Sequence, residues 1–257
     1  MGAHGFECLE LYATRTHVDY HNPSTVADLQ QWLAEAQLDL HSVHAPVAES
    51  LVAGRWGSPL TLASADPDVR SHALTEAERA LYIARRIPFQ SLVVHLGLPR
   101  TPQSVPGENS RDSARRSIEA LQRLAEPLGV SVAIEVFSNE LSTPGSLVHF
   151  VEQLLDTAPV GICLDFGHAN LYGDVVEAIE TVSEHLTGAH VHDNRGRTDD
   201  HLLPFEGSID WPAALTALQK VGYDGVVVFE VDGRGGYKAV LQRLRHVRQR
   251  MEGLLAA

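Results

Sequence analysis

The chain has 257 residues, 33 acidic against 20 basic side chains, a formal net charge of −13 with histidine neutral, and 44% hydrophobic residues. No signal-peptide pattern opens it, and no apolar run approaches the ~18 residues a membrane-spanning helix needs. Two cysteines, Cys8 and Cys163, make no disulfide framework, and the acidic balance disfavours nucleic acid as a partner. One domain over residues 1–257 in a reducing cytoplasm is therefore expected.

Residues 6–12 (FECLELY) alternate and predict a strand. Val26, Leu29, Leu33 and Ala36 recur at helical spacing after Ser24-Thr25, which can cap. Residues 38–45 form a strand ending on His44. A loop rich in Gly, Ser and Pro leads to Asp66-Pro67, which opens a helix to about Arg86. Residues 91–97 form a strand ending on His95, and a helix runs from about Ser110 to Pro127. Residues 131–137 form a strand carrying Glu135, then Thr143-Pro144 opens a helix to about Asp156. Residues 160–168 read as a strand with Asp165 near its end and His168 just beyond. A helix over 174–186, a strand with His190, a helix over 211–221, a strand over 225–233 with Glu230 and a helix from Tyr237 to Leu255 complete the chain. Strands alternating with helices call for a parallel sheet with right-handed crossovers.

The densest chemistry lies between Thr187 and Asp210. His190, His192, Asp193, Asp199, Asp200, His201 and Glu206 put seven metal-capable side chains within seventeen residues. Imidazole and carboxylate together suit zinc, manganese or iron. The alternative reading is an acidic surface loop with incidental histidines.

Six strands after the first end on or near a metal-capable residue: His44, His95, Glu135, Asp165, His190 and Glu230. In an open sheet such ends spread along a line of strands ~4.8 Å apart and cannot converge. In a closed α/β barrel they ring one cavity at the C-terminal mouth, so the distribution selects a TIM (β/α)8-type barrel. Counting back by two from the ligands gives Val93, Ala133, Cys163, Gly188 and Val228, apolar or small as a packed interior requires. Cys163 is thus read as a packing residue rather than a nucleophile. Glu10 ends the first strand and either faces the cavity or serves as a salt-bridged structural residue.

With these residues in hand, the chain resembles the xylose isomerase-like TIM barrel superfamily, which includes sugar isomerases and epimerases as well as endonuclease IV. The resemblance rests on HAP at 44–46, VVHLG at 93–97, IE at 134–135, CLDFGHAN at 163–170, HVHDN at 190–194, DDHLLPFEG at 199–207 and FE at 229–230. It implies divalent metal, zinc or manganese, at one to three ions per chain. The endonuclease-like ligand set maps onto His44, His95, Glu135, Asp165, His168, His190, Asp199, His201 and Glu230. The smaller set of the sugar epimerases, Glu135, Asp165, His190 and Glu230, is nested within it.

Two chemistries follow from the resemblance. In the first, the enzyme isomerises or epimerises a sugar or sugar phosphate by proton transfer next to a carbonyl, with Glu135 and Glu230 as acid and base. His192, Arg195, Arg197 and Glu206 are then candidates for substrate contacts, and for the arginines the alternative is an exposed loop balancing acidic neighbours. In the second, a zinc cluster hydrolyses a phosphodiester, as in an apurinic-site endonuclease. Against it, lysine is nearly absent (Lys220 and Lys238), Arg15, Arg55 and Arg100 are scattered, and Trp56, the one candidate wedge, reads better as packed under its loop. A non-catalytic metal- or sugar-binding barrel is a third reading, and self-association is left open.

The resemblance also predicts a gap. GFECLEL resembles the second barrel strand of the superfamily, so the first strand and helix are lacking and seven strands are recognisable where a closed barrel has eight. The strands at 6–12 and 225–231 should fail to pair fully, leaving a slot in the wall.

Overall fold

A computed structural model describes residues 1–155, 160–233 and 235–256. In chain order the elements are β1 (Cys8–Tyr12), α1 (Pro23–Ala36), β2 (Asp39–His44), β3 (Leu51–Val52), β4 (Arg55–Trp56), α2 (Pro67–Leu81), β5 (Ser91–Val94) and α3 (Arg111–Ala125). There follow β6 (Ser131–Glu135), α4 (Pro144–Gln153), β7 (Gly161–Asp165), α5 (Phe166–Tyr172), α6 (Val175–Val182), β8 (Leu186–Val191), α7 (Trp211–Lys220), β9 (Val227–Phe229) and α8 (Tyr237–Leu255).

Seven strands form one parallel sheet in the order β1-β2-β5-β6-β7-β8-β9, curled into a nearly closed TIM barrel with the helices outside. The helices begin where side chains cap them. Asn22, Asp66, Ser110, Thr143, Asp174 and Asp210 each accept from a backbone N–H in the first turn of the helix that follows, each cap contributing about 0.5–2 kcal/mol. α3 shows how a helix is seated: Ala114, Ser117, Ile118, Leu121 and Ala125 are buried along one stripe. Arg115 and Arg116 pair with Asp112 on the outward side.

Inside the barrel, Val93, Ala133 and Cys163 form their own small cluster apart from the layer between sheet and helices. Gly188 belongs to the same level, since a Cβ there would stand 3.2 Å from the Cys163 sulfur. This plug sits beneath the mouth and makes the interior a floor rather than a pore.

β1 and β9 end the sheet and do not hydrogen-bond to one another among the described residues. The gap between them is a cavity of about 610 Å³ bordered by Phe6, Leu9, Val227, Phe229 and, from α8, Leu244 and Met251. Side chains bridge it in place of a ladder: Phe6 meets Phe229 edge-on at 6.3 Å, and Arg248 of α8 bonds the Gly5 carbonyl. The expected slot is therefore present.

Two elements were not expected from sequence. A hairpin of β3 and β4 lies after His44, and α5 begins directly after Asp165, whose side chain accepts from the His168 N–H at 2.6 Å and ends the strand there. The last strand residue is thus also a helix cap. β8 begins at Leu186 because α6 stops at Val182. The predicted end of the fourth helix at Asp156 lies outside the described residues.

Candidate metal centre

The strand ends converge on Glu135. This residue closes β6, is 1% exposed, and offers its two oxygens to opposite sides. Oε2 lies 2.9 Å from His44 Nε2 and 3.2 Å from His95 Nε2. Oε1 lies 3.4 Å from His168 Nδ1 and 3.7 Å from His190 Nδ1. His190 Nδ1 in turn stands 3.0 Å from Glu230 Oε2, at the end of β9. Ligand atoms of Glu135, Asp165, His190 and Glu230 all fall within 4.8 Å of one another, and those of His44, His95 and Glu135 do the same.

Histidine tautomers are fixed by the backbone. His44 Nδ1 sits 2.8 Å from the Ala45 carbonyl, His168 Nδ1 3.0 Å from the Val136 carbonyl, and His201 Nδ1 2.9 Å from the Glu230 carbonyl. A carbonyl only accepts, so each of these nitrogens carries the proton. The opposite Nε2 is left to face a carboxylate: Glu135 for His44, Asp199 at 3.2 Å for both His168 and His201. A neutral imidazole lone pair facing a carboxylate is repulsive unless a proton or a cation lies between them.

In the metal-free protein, protons take that place. Burial works against the charge on each imidazole, yet neighbouring carboxylates hold His168 well above the ordinary imidazole range and push His201 up to about 9. Burial likewise opposes ionisation of Glu135, and the surrounding histidines, His95 and His190 foremost, hold its carboxyl well below the usual range. Burial pushes the Cys163 thiol up to about 12, which fits a packing role and not a nucleophile.

The residues fit a divalent cation on a stricter test. His190 Nδ1, Glu230 Oε2 and Asp165 Oδ2 are buried without a hydrogen-bond partner. His190 Nδ1 and Glu230 Oε2 are nonetheless 3.0 Å apart, so they converge on a common point rather than on each other. Metal–ligand bonds of about 2.0–2.2 Å place neighbouring ligands roughly 3–3.5 Å apart, a spacing that His190 Nδ1 and Glu230 Oε2 already have.

The mouth above is a cavity of about 710 Å³ whose lining includes Tyr12, Trp56, Phe137, Asp200 and Asp232 beside His95, Glu135, His168, Asp199, His201 and Glu230. Tyr12 stacks on His44 at 4.6 Å and Phe137 on His95 at 3.7 Å. Trp56 is not packed beneath its loop: it is 53% exposed, stands 6.1 Å from Tyr12 and forms part of the wall.

A family model described as xylose isomerase-like TIM barrel matches residues 2–251. The chain belongs to this family. An uncharacterized protein of Methanocaldococcus jannaschii, MJ1311, is 28% identical over 235 residues, covering 88% of this chain and 75% of that protein. The D-psicose 3-epimerase of Ruminiclostridium cellulolyticum is 28% identical over 239 residues, covering 88% and 74%. A solved D-tagatose 3-epimerase-like protein superimposes with a TM-score of 0.82 at 25% identity, covering 99% of this chain and 91% of that one.

Within this xylose isomerase-like barrel, not every residue singled out from sequence reaches the mouth. Arg195 and Arg197 are exposed and do not line the cavity. Glu206 is also exposed and pairs with Arg243 of α8. Asp193, the first acid of the rich stretch, is fully buried and accepts from Trp211 Nε1 at 2.8 Å and from the N–H groups of Phe205 and Ile209 at 3.0 and 3.3 Å. Its work is to fold the following loop back onto α7. Glu10, left open from sequence, faces inward: Oε2 accepts from Ser42 Oγ at 2.7 Å and lies 3.1 Å from His190 Nε2. Strand parity was the signal for it, and the contact to His190 was the part parity could not supply.

Proposed function

We propose that the protein is a divalent-metal-dependent sugar isomerase or epimerase that moves a proton at the carbon next to a carbonyl. The observation that carries this reading is the pair Glu135 and Glu230, brought with Asp165 and His190 within 4.8 Å at the floor of an accessible cavity. The named relatives, a D-psicose 3-epimerase and a D-tagatose 3-epimerase-like protein, support it.

A divalent ion held by these four side chains would polarise a carbonyl and its neighbouring hydroxyl. The chain's own residues do the rest. Glu135, buried, and Glu230, 28% exposed by its side chain on the opposite wall, flank the reacting carbon. One carboxylate takes the C–H proton and the other returns one from the opposite face, which inverts that carbon. Returning it to the adjacent carbon instead, with the hydroxyl proton moved between the oxygens, exchanges aldose and ketose. Tyr12, Trp56 and Phe137 offer flat apolar surface to the C–H face of a sugar. Asp200 and Asp232 line the rim where hydroxyls would need acceptors.

A second reading, a zinc-dependent phosphodiesterase of the endonuclease IV type, is favoured by one observation. His44 and His95 converge with Glu135 on a further three-ligand group that isomerisation does not require. The two readings separate in one experiment: incubation with ketoses in deuterated water against incubation with a duplex containing an abasic site. Label appearing next to the carbonyl supports the isomerase. Strand cleavage without label supports the hydrolase.

A further inference from the structure

We propose that His192 is a metal ligand. With Asp199 and His201 it builds a second cation site at the barrel rim, bordering the Glu135–Asp165–His190–Glu230 set at Asp165, which fastens the 194–207 loop to the mouth. His192 follows His190 by two residues at the end of β8 and continues the same inward face toward the rim. It is 0% exposed and neither ring nitrogen makes a hydrogen bond of ordinary geometry, although Nε2 stands 3.0 Å from Asp165 Oδ1. A buried polar group left in that state costs about 1–3 kcal/mol, and the sequence makes room for it deliberately. Gly167 packs flat against the ring, and any Cβ there would stand 1.9 Å from His192 Cε1.

The surroundings say what the imidazole is for. Its ring stacks on that of His201 at 4.0 Å and 15°, so both present nitrogens to the same carboxylate. His192 Nε2 is 3.6 Å from Asp199 Oδ1, and His201 Nε2 is 3.2 Å from Asp199 Oδ2. The three ligand atoms lie within 4.8 Å of one another. His168, one of the nine residues the resemblance implies, reaches Asp199 Oδ2 at 3.2 Å, but it groups with Asp165 and His192, while the compact triad around Asp199 and His201 contains His192. Two imidazoles and one carboxylate form a donor set suited to zinc.

The loop supplies the reason for a tether. His201 holds a left-handed backbone at φ 45°, which is strained for a side-chain-bearing residue. Its carbonyl accepts from Asp232 N at 3.0 Å, and the paired Asp193 and Leu202 close the turn beside it. Residues 195–199 are exposed, so a cation joining Asp199 and His201 to β8 would order this outer stretch of the loop.

The test uses full-length protein stripped with chelator and refilled with zinc, read by metal content and by amide exchange of residues 195–201. Wild type should hold at least two ions and gain protection in the loop on refilling. His192→Ala should hold one ion fewer and lose the zinc-dependent protection. Should it fail to fold, His192→Gln, close in volume and polar, carries the same expectation. Glu230→Gln should lose the inner ion yet keep the loop's response to zinc, so the failure of this site and the failure of the isomerase reading are distinguishable. The proposal is overturned if the His192 variant takes up as much zinc as wild type with the same protection. It is equally overturned if Glu230→Gln alone leaves the chain free of zinc.

Discussion

Glu10 on β1 holds His190 on β8 across the open side of the barrel, with its Oε2 3.1 Å from His190 Nε2. The contact commits Nε2 to the carboxylate and leaves Nδ1, which faces Glu135 and Glu230, free to bind a cation. Ser42 steadies the carboxylate from β2. Glu10→Gln keeps the size and the Ser42 bond while weakening the hold on His190. Its metal affinity, measured by competition with a chromophoric chelator, should fall about 10–100-fold. Unchanged affinity would reduce Glu10 to a packing residue.

Cys163 should be chemically silent. Its thiol is buried and pushed up to about 12, so the thiolate that alkylating reagents attack is scarcely present at neutral pH. Native protein should leave Cys163 unlabelled by iodoacetamide at pH 8 while urea-unfolded protein labels fully. Cys163→Ala should retain turnover and cost about 1 kcal/mol or somewhat more from the small cavity it leaves.

Away from the mouth, Glu76 on α2 ties the segment after β1 to the helix layer. It accepts from Tyr20 OH at 2.8 Å, lies 2.8 Å from His21 Nε2, and is buried. Burial opposes its ionisation, but the bonds from Tyr20 and His21 outweigh burial and lower its pKa below 4.5. A lowered carboxyl stabilises the fold fully above its unfolded value, and that stability is lost as pH falls through the folded value. In metal-free protein, Glu76→Gln should cost about 1.5–3 kcal/mol at pH 7. The gap from wild type in urea unfolding should close below about pH 4.5. A gap independent of pH would remove the charge from the account.

The slot makes a prediction of its own. β6 and β7 each pair on both sides and are almost wholly buried, whereas β1 and β9 pair on one side and are mostly half-buried. Amides of Cys8–Tyr12 and Val227–Phe229 should exchange faster than those of Ser131–Glu135 and Gly161–Asp165 under native conditions. Equal protection would mean that something closes the wall in solution.

The convergence of the strand ends was legible because a parallel barrel places every one of them at one mouth, so strand position sufficed to expect Glu135, Asp165, His190 and Glu230 side by side. The β3–β4 hairpin was not. Its turn residues Ala53 and Gly54 both adopt positive φ, 50° and 74°, a turn that Asn-Gly or Asp-Gly announces and Ala-Gly does not. α5 was hidden for a related reason: FGHANLY continues an apolar run, and only the Asp165 cap separates it from the strand. Arg195 and Arg197 show the limit of reading a loop, whose sequence does not say which way its side chains turn.

The central claim is that Glu135 and Glu230 exchange a proton with carbon. Metal-loaded protein incubated with a panel of ketoses in deuterated water, followed by proton NMR, tests it directly. Loss of the proton signal next to the carbonyl is expected for at least one sugar, at a rate reduced at least about 100-fold in Glu135→Gln and in Glu230→Gln. No exchange with any ketose, together with cleavage of abasic duplex by the same preparation, would contradict it.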